Sequence, residues 1–551
     1  MKQNGLTKHS LESMRRSCAA FRDKAIFSIV MPVYNVREEW LRGAIDSVLA
    51  QIYPHWELCI ADDASTAPHI KPMLSDYAAS DPRIKVIYRT ENGHISLSTN
   101  SALELATGDY VCLMDHDDEI TANALYEFAN VIQEKGRVGM IYSDEDKLSV
   151  KGERYEPFFK PDWSPEYLEA CFYTAHFACY RTDIVRKVGG FRTGYDGAQD
   201  YDFVLRFVEH APEIVHVAKV LYHWRAIEGS TAKSMQEKGY VIEAACKGLR
   251  DHLARMQIAG SVKPGAYAGC FELRHDIRGT PLVSIVIPSA GRDAGVRGKS
   301  VDLLVNCIDS IRLRTSYRNY EIIVVDNGDL RAETFAGIAD AGCRFVHFTE
   351  PFNVATKMNL GAAEAKGEYL VFLNDDIEVI EPGWLEDMLQ LAQRSGIGAV
   401  GAKLLFEDGS LQHAGVTFDE DGLPDHVLRS YPGSFPGYYF SCAGTRNYMA
   451  VTGACLMTRT GVFRQTGGFD ESYAINYNDI DYCLRVFSAG LRVVFCPQAK
   501  LYHFESKNRE RAVEQEAIER FRQRWSSMTT NDRYYGRMFD KKPPNFTLRV
   551  L

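Results

Sequence analysis

Short runs of apolar, often β-branched residues alternate along this chain with longer stretches in which apolar residues recur every three or four positions. Ser28 to Val33 is one such run, Trp40 to Gln51 is the amphipathic stretch after it, and Leu58 to Asp63 is the next run. A continuous apolar run suits a strand covered on both faces, and the intervening helical pattern supplies the crossover. The alternation therefore predicts a doubly wound, mostly parallel α/β sheet. Ligands of such sheets bind beyond the carboxyl ends of the strands. Asp62, Asp63, Asp115, Asp117, Asp118, Asp326, Asp375 and Asp376 all fall at those ends.

The pattern occurs twice. Phe27-Ser-Ile-Val-Met-Pro32 returns as Val283-Ser-Ile-Val-Ile-Pro288, and Glu57-Leu-Cys-Ile-Ala-Asp62 as Glu321-Ile-Ile-Val-Val-Asp326. Gly108 to Asp117 returns as Gly367 to Asp376, Gln199-Asp200-Tyr-Asp202 as Asn478-Asp479-Ile-Asp481, and Leu221-Tyr-His223 as Leu501-Tyr-His503. These landmarks keep their order, which is the mark of a duplicated domain. The expected organisation is a polar, helical N-terminal segment at 1–25 and a first domain at 26–228. A helical connector at 229–280, a second domain at 281–507 and a helix with a tail at 508–551 complete it. Within the connector, Gln236 to Met256 has helical spacing and Lys263-Pro-Gly265 breaks it. Arg509 to Trp525 reads as a charged amphipathic helix.

Composition narrows the reading little further. The 551 residues are 46% hydrophobic with a formal net charge of -10. Neither a basic domain nor a basic stripe points to nucleic acid. The 13 cysteines include no Cys-x-x-Cys pair and sit mostly in apolar runs, which suits reduced core residues. Residues 1–25 do not resemble a secretory leader, and no apolar run reaches the ~18 residues of a membrane span. A cytoplasmic location is expected; Arg15-Arg16 suits either an ordinary surface helix, the preferred reading, or one docking at the inner face of the membrane. A Gly-x-Gly-x-x-Gly stands at Gly396, Gly398 and Gly401, but it follows a helix and leads into a strand, the reverse of a dinucleotide site.

Several carboxylates converging on one strand end repel one another, and a hard divalent cation bridging to a diphosphate relieves that repulsion. Asp115, Asp117 and the later Asp375-Asp376 fit that chemistry, although an acidic turn would look the same. Asp62 at the end of a strand suits a nucleoside hydroxyl or base N–H, while Asp63 suits a helix cap equally well. Asp200 opens an amphipathic helix, where a carboxylate is either a cap or a general base.

With these strings in place both halves resemble the GT-A fold of glycosyltransferase family 2. Met31-Pro-Val-Tyr-Asn35, the Asp-x-Asp at 115–117 and a late Asp followed by His carry the likeness. Trp56 to Thr66, Tyr142-Ser-Asp-Glu-Asp-Lys147, Phe159 to Ser164 and Val451 to Met457 add to it. The resemblance is to large bacterial members with two tandem domains that build O-antigen or capsule-type polysaccharide. It implies that Pro32, Val33, Tyr34, Asn35, Asp62, Asp63, Asn100 and Asp115 contact a nucleotide-sugar (UDP-, dTDP- or GDP-linked). Asp115, Asp117 and His223 would hold Mn or Mg, and Asp200 would be the base in an inverting transfer. In the second half Pro288, Ser289, Asp326, Asn359 and Asp375 would contact the donor, Asp376 and His503 the metal, and Asp479 would be the base. The acceptor would be a glycan hydroxyl, lipid-linked in related enzymes.

The halves differ at the motifs themselves. Asn374 stands where the first half has Asp115, and Pro288-Ser-Ala-Gly291 replaces Pro-Val-Tyr-Asn. Two readings compete with two active sites: one catalytic domain beside a glycan-docking scaffold, and one polymerase whose two domains add sugars alternately.

Overall fold

The computed structural model describes residues 7–226, 239–338, 342–504 and 515–549. These residues form two compact units. The first comprises residues up to Trp163 together with Phe172–Ile258, and the second comprises Ser164–Cys171 and Ala259 onward.

In the first unit the strands lie in the order Ile84–Tyr88, Trp56–Asp62, Phe27–Val33, Tyr110–Leu113, Ala178–Arg181, Met140–Leu148, Ile214–Arg225 and Glu119–Ile120. The first four run parallel; Ala178–Arg181 is antiparallel to both of its neighbours. The second unit repeats this order with Arg344–His347, Tyr320–Asp326, Val283–Ser289, Tyr369–Leu373, Cys455–Arg459, Ile397–Leu405, Arg492–His503 and Ile377–Val379. The expected doubly wound, mostly parallel architecture is thus present twice.

The unbroken apolar runs have a direct cause. Along Val283–Ser289, Val283, Ile285 and Ile287 join one buried cluster while Val286 joins another on the opposite face. Ile322 and Val324 side with the first cluster, Ile323 and Val325 with the second. Both faces are covered, so the polar residues inside the strands are paired, as Ser284 Oγ donates to Glu321 Oε1 at 2.6 Å, and the aspartates begin where the strands end. Glycines 398 and 401 lie in the strand Ile397–Leu405, where an added Cβ would come within 2.3 Å of Val486 Cγ1 and 2.5 Å of Val451 Cβ. They are glycines because neighbouring side chains need the space.

Among the described residues, the segment expected as a connector divides between the two units. The helix Gly239–Arg255 belongs to the first unit, packing on the helix Gln199–Val208 and pairing Asp251 with Arg192 and His252 with Glu209. The hairpin Gly260–Pro264/Phe271–His275 then belongs to the second. The expected starts of two helices, Gln236 and Arg509, lie outside the described residues, as do the expected domain ends at 228 and 507. An N-terminal helix is present at Lys8–Ala19, closed by a Thr7–Ser10 capping box. The C-terminal helix Gln515–Thr529 buries Phe521 and Trp525 in the second unit, and Trp525 Nε1 donates to Asp481 at 2.9 Å.

One short helix lies outside the linear domain order. Pro165–Ala170 sits within the first half of the chain but packs as part of the second unit. Its Glu166 is fully buried, 2.8 Å from Arg492, 3.3 Å from Arg394 and 2.7 Å from Asn447 Nδ2. No helix among the described residues is long and apolar enough to cross a membrane.

Candidate active sites

In the first unit Trp56–Asp62 delivers Asp62 to the carboxyl edge of the sheet. Its Oδ1 accepts the Ser65 N–H at 3.1 Å, while Oδ2 is buried with no hydrogen-bond partner. A buried carboxylate oxygen left without a donor is costly, and a nucleoside N–H or hydroxyl would satisfy it. Asn35 links the Pro32–Asn35 loop to this edge, its Oδ1 accepting the N–H of Thr66 and of Ala67, both at 2.9 Å. Tyr34 is exposed beside it. Pro32 presents its carbonyl to His116 Nδ1 at 2.9 Å, and Val33 is buried in the core.

Asp63 is engaged elsewhere: its carboxylate pairs with Arg89 Nε at 2.8 Å and accepts the Gly93 N–H. Through these contacts it holds the Arg89–Gly93 loop. Asn100 is likewise engaged within the scaffold. Its Oδ1 accepts the Phe191 N–H and its Nδ2 donates to the Phe191 carbonyl, both at 2.8 Å. Asn359 repeats this on Phe469 at 2.9 Å in both directions, with Glu471 taking its other amide hydrogen. In both units this asparagine clamps the Gly-Gly-Phe turn, and its polar atoms are spent on the scaffold.

The acidic motif of the first unit divides by role. Asp118 turns inward, accepting Tyr222 Oη at 2.5 Å and the Arg225 N–H at 2.6 Å. Burial and the neighbouring Asp117 push the Asp115 carboxyl up to about 6. Asp200, at the start of the helix Gln199–Val208, is raised to about 7 by burial and then by the charge of Asp115. His223 Nδ1 lies 2.5 Å from Asp146 Oδ1, which fixes the ring. Among the described residues no three His, Cys, Asp or Glu side chains form a ready-made cation cage. A buried Asp115 destabilised by Asp117 nevertheless fits Mg or Mn, which usually take one or two carboxylates and complete their shell with phosphate and water.

In the second unit the corresponding edge opens into a cavity of about 880 Å³, lined among others by Ser289, Lys357, Asp375, Asp376, Asp479 and His503. Pro288 lies on its wall. Asp326 again leaves one buried oxygen, Oδ1, without a hydrogen-bond partner. Ser289 Oγ donates to Asp375 Oδ2 at 2.6 Å, and burial raises the Asp375 carboxyl. Asp479 Oδ2 accepts the Gly453 N–H at 2.7 Å, so the Val451–Met457 string meets the helix Asn478–Ser488 here.

Three features escape a reading of the sequence. Lys357 is buried in the helix Val354–Glu364, with Nζ 2.6 Å from the Ser289 carbonyl and 2.5 Å from Asn327 Oδ1. A charged residue in a run of small apolar ones, opposite Ser98 of the first half, was the available signal. Gln412 holds His503, with 2.6 Å from its Oε1 to Nδ1, from the strand Leu411–His413, which pairs with Ile397–Leu405 as Arg154–Phe158 pairs with Met140–Leu148. His413 stands 2.9 Å from His426, Nδ1 to Nδ1, and burial lowers it to about 3.

Comparison with known proteins agrees with the duplication. The family model described as Glycosyl transferase family 2 matches residues 28–189 and again 284–459. The chain is 42% identical over 529 residues to "Uncharacterized protein y4gI" of Sinorhizobium fredii, covering 93% of this chain and 57% of that one. It is 37% identical over 501 residues to "O-antigen biosynthesis protein RfbC" of Myxococcus xanthus, covering 90% and 38%. The chain therefore spans only part of the length of either relative. A crystal structure of S. aureus TarS 1–349 with UDP-GlcNAc matches 42% of this chain and 73% of its own at 22% identity and a TM-score of 0.33.

Proposed function

The chain belongs to glycosyl transferase family 2, and from that premise we propose that each unit moves a sugar from a nucleotide-sugar donor to a hydroxyl of a growing surface glycan. The observation that carries the proposal is that Asp200, buried at the start of the helix Gln199–Val208, lies near enough to the acidic strand end to feel the charge of Asp115. A carboxyl raised to about 7 holds a useful fraction of base near neutral pH. Its shift comes partly from Asp115, so it belongs to the same site.

In the first unit Asp62 would take the nucleoside through its unpartnered oxygen. Asp115, Asp117 and His223 would hold Mg or Mn, whose charge offsets that of the diphosphate. Asp200 accepts the proton of the acceptor hydroxyl as that oxygen bonds to the anomeric carbon. The bond from that carbon to the diphosphate oxygen breaks on the opposite face, its electron pair leaves with the diphosphate, and the configuration inverts. In the second unit Asp326 and Asp479 take the corresponding parts. The name of the Myxococcus relative, an O-antigen biosynthesis protein, supports an O-antigen-type product. A lipid-linked acceptor at the cytoplasmic face of the membrane accords with that chemistry.

The test is a screen of UDP-, dTDP- and GDP-sugars with Mn or Mg, reading equilibrium binding and released nucleoside diphosphate. Turnover of one or two donors is expected. Neither binding nor release with any donor and a range of glycan acceptors would overturn the reading.

A further inference from the structure

The two units treat the metal position differently. At the first, His223 Nδ1 is held by a carboxylate, Asp146, which is itself anchored by Arg154 Nε at 2.7 Å. Among the described residues His223 Nε2 makes no hydrogen bond, and the carboxylates of Asp115 and Asp117 share the strand end. A carboxylate behind an imidazole fixes its tautomer and strengthens the other nitrogen as a ligand.

At the second, His503 Nδ1 is held by the neutral amide of Gln412 at 2.6 Å. Its Nε2 lies 3.1 Å from Asn374 Nδ2 and 3.0 Å from Asp376 Oδ1. With Nδ1 donating to Gln412, Nε2 accepts from Asn374 Nδ2, with Asp376 at ion-pair distance beside it. The nitrogen is thus engaged by the unit's own Asn374, which stands where the first unit has Asp115.

The second unit also carries a cation of its own. Lys357 reaches the cavity wall from a helix, bridging the Ser289 carbonyl and Asn327 Oδ1 close to Asp375 and Asp326. The first half has Ser98 there, whose Oγ donates to the Ala61 carbonyl at 3.2 Å. It also has Asp63 in place of Asn327, already neutralised by Arg89. The second nucleotide edge therefore gains a positive charge where its acidic motif loses a carboxylate.

We infer that the chain takes up one divalent cation tightly, at Asp115, Asp117 and His223, and that the second unit meets the donor diphosphate with Lys357 and a hydrogen-bonded His503–Asn374 pair in place of a tight metal site. This rests on the metal reading proposed above for the first unit.

The test is a Mn titration of the full chain followed by the electron paramagnetic resonance signal of free Mn, with and without UDP. One tight site per chain is expected, lost in the paired variant Asp115→Asn with Asp117→Asn. Asp117→Asn alone is the milder control if the pair unfolds, and should weaken the site at least tenfold. Asn374→Asp with Gln412→Glu should raise the count to two. Lys357→Met should weaken UDP binding at the second unit while leaving the Mn count at one. Two equivalent tight sites in the unaltered chain, or one that survives the loss of Asp115 and Asp117, would overturn the inference. No uptake under either condition would overturn the metal reading of the first unit and the inference with it.

Discussion

Asn100 closes a two-point clamp on Phe191: its carboxamide accepts that residue's N–H and donates to its carbonyl, both at 2.8 Å across 91 residues of sequence. The clamp fixes the Gly-Gly-Phe turn that precedes the helix bearing Asp200. Gly190 could not carry a side chain there, since an added Cβ would lie 2.5 Å from Asn100 Oδ1. Replacing Asn100 with Ala leaves a backbone N–H and a carbonyl without partners. The expected cost is about 1–3 kcal/mol per unsatisfied group, seen as a lower melting temperature for the first unit. Donor affinity of the folded variant should be unchanged within twofold; a selective loss of donor binding without destabilisation would return Asn100 to the nucleotide site.

The pH dependence of the first transfer follows from Asp200. The base acts only when ionised, so the Asp200-dependent rate should fall about tenfold per pH unit below about 7. Its effect on stability has the opposite sense. A folded value raised from 3.8 to about 7 favours the protonated form. That contribution is complete below the unfolded value and disappears as pH rises through about 7. Asp200→Asn should therefore raise the melting temperature relative to the unaltered chain at about pH 8, with a smaller difference at about pH 5. A melting difference that does not change with pH would refute the assigned environment of Asp200.

Glu166 makes the second unit depend on a residue from the first half of the chain. Its carboxylate, held down to about 2 by Arg394 and Arg492 against the cost of burial, contributes stability at neutral pH that is lost as pH falls toward that value. Glu166→Ala leaves Arg492 without its carboxylate partner and Arg394 with Glu169 alone. A loss of about 3–5 kcal/mol from the second unit is expected by denaturant melting. A shift below about 0.5 kcal/mol would show that the buried pair is not needed.

The glycine run at 396–401 gives a separate check. Gly401→Ala forces a methyl against Val451 and should destabilise the second unit by about 1–3 kcal/mol through overpacking. It should not change nucleotide affinity, measured by calorimetry. A selective fall in dinucleotide binding would restore the reading that the strand context excludes.

The legible part of the fold was the part built from local repetition. Runs such as Val283–Ser289 are mostly apolar because both faces are buried, so strands and their acidic ends could be placed from one copy and checked on the other. Asp62 and Asp326 followed from that register. What stayed hidden depends on contacts between residues far apart in the chain. The Asn100–Phe191 clamp looks like any polar helix position until the turn folds onto it. The Asp63–Arg89 ion pair was hidden because Arg89 is remote in sequence. Pro165–Ala170 was assigned to the first domain by position, while the charges that seat it, Arg394 and Arg492, lie more than two hundred residues away. Gln412 lies 91 residues from His503, so its hold on that ring showed only in the fold.

Two competent sites on one chain are tested most directly by product analysis of Asp200→Asn and Asp479→Asn, each assayed with the active donors and an acceptor long enough to receive both sugars. The account predicts that each single variant abolishes one transfer step and retains the other, with mass spectrometry finding the product short by a defined sugar. A single variant that leaves every transfer step intact would contradict it for that unit.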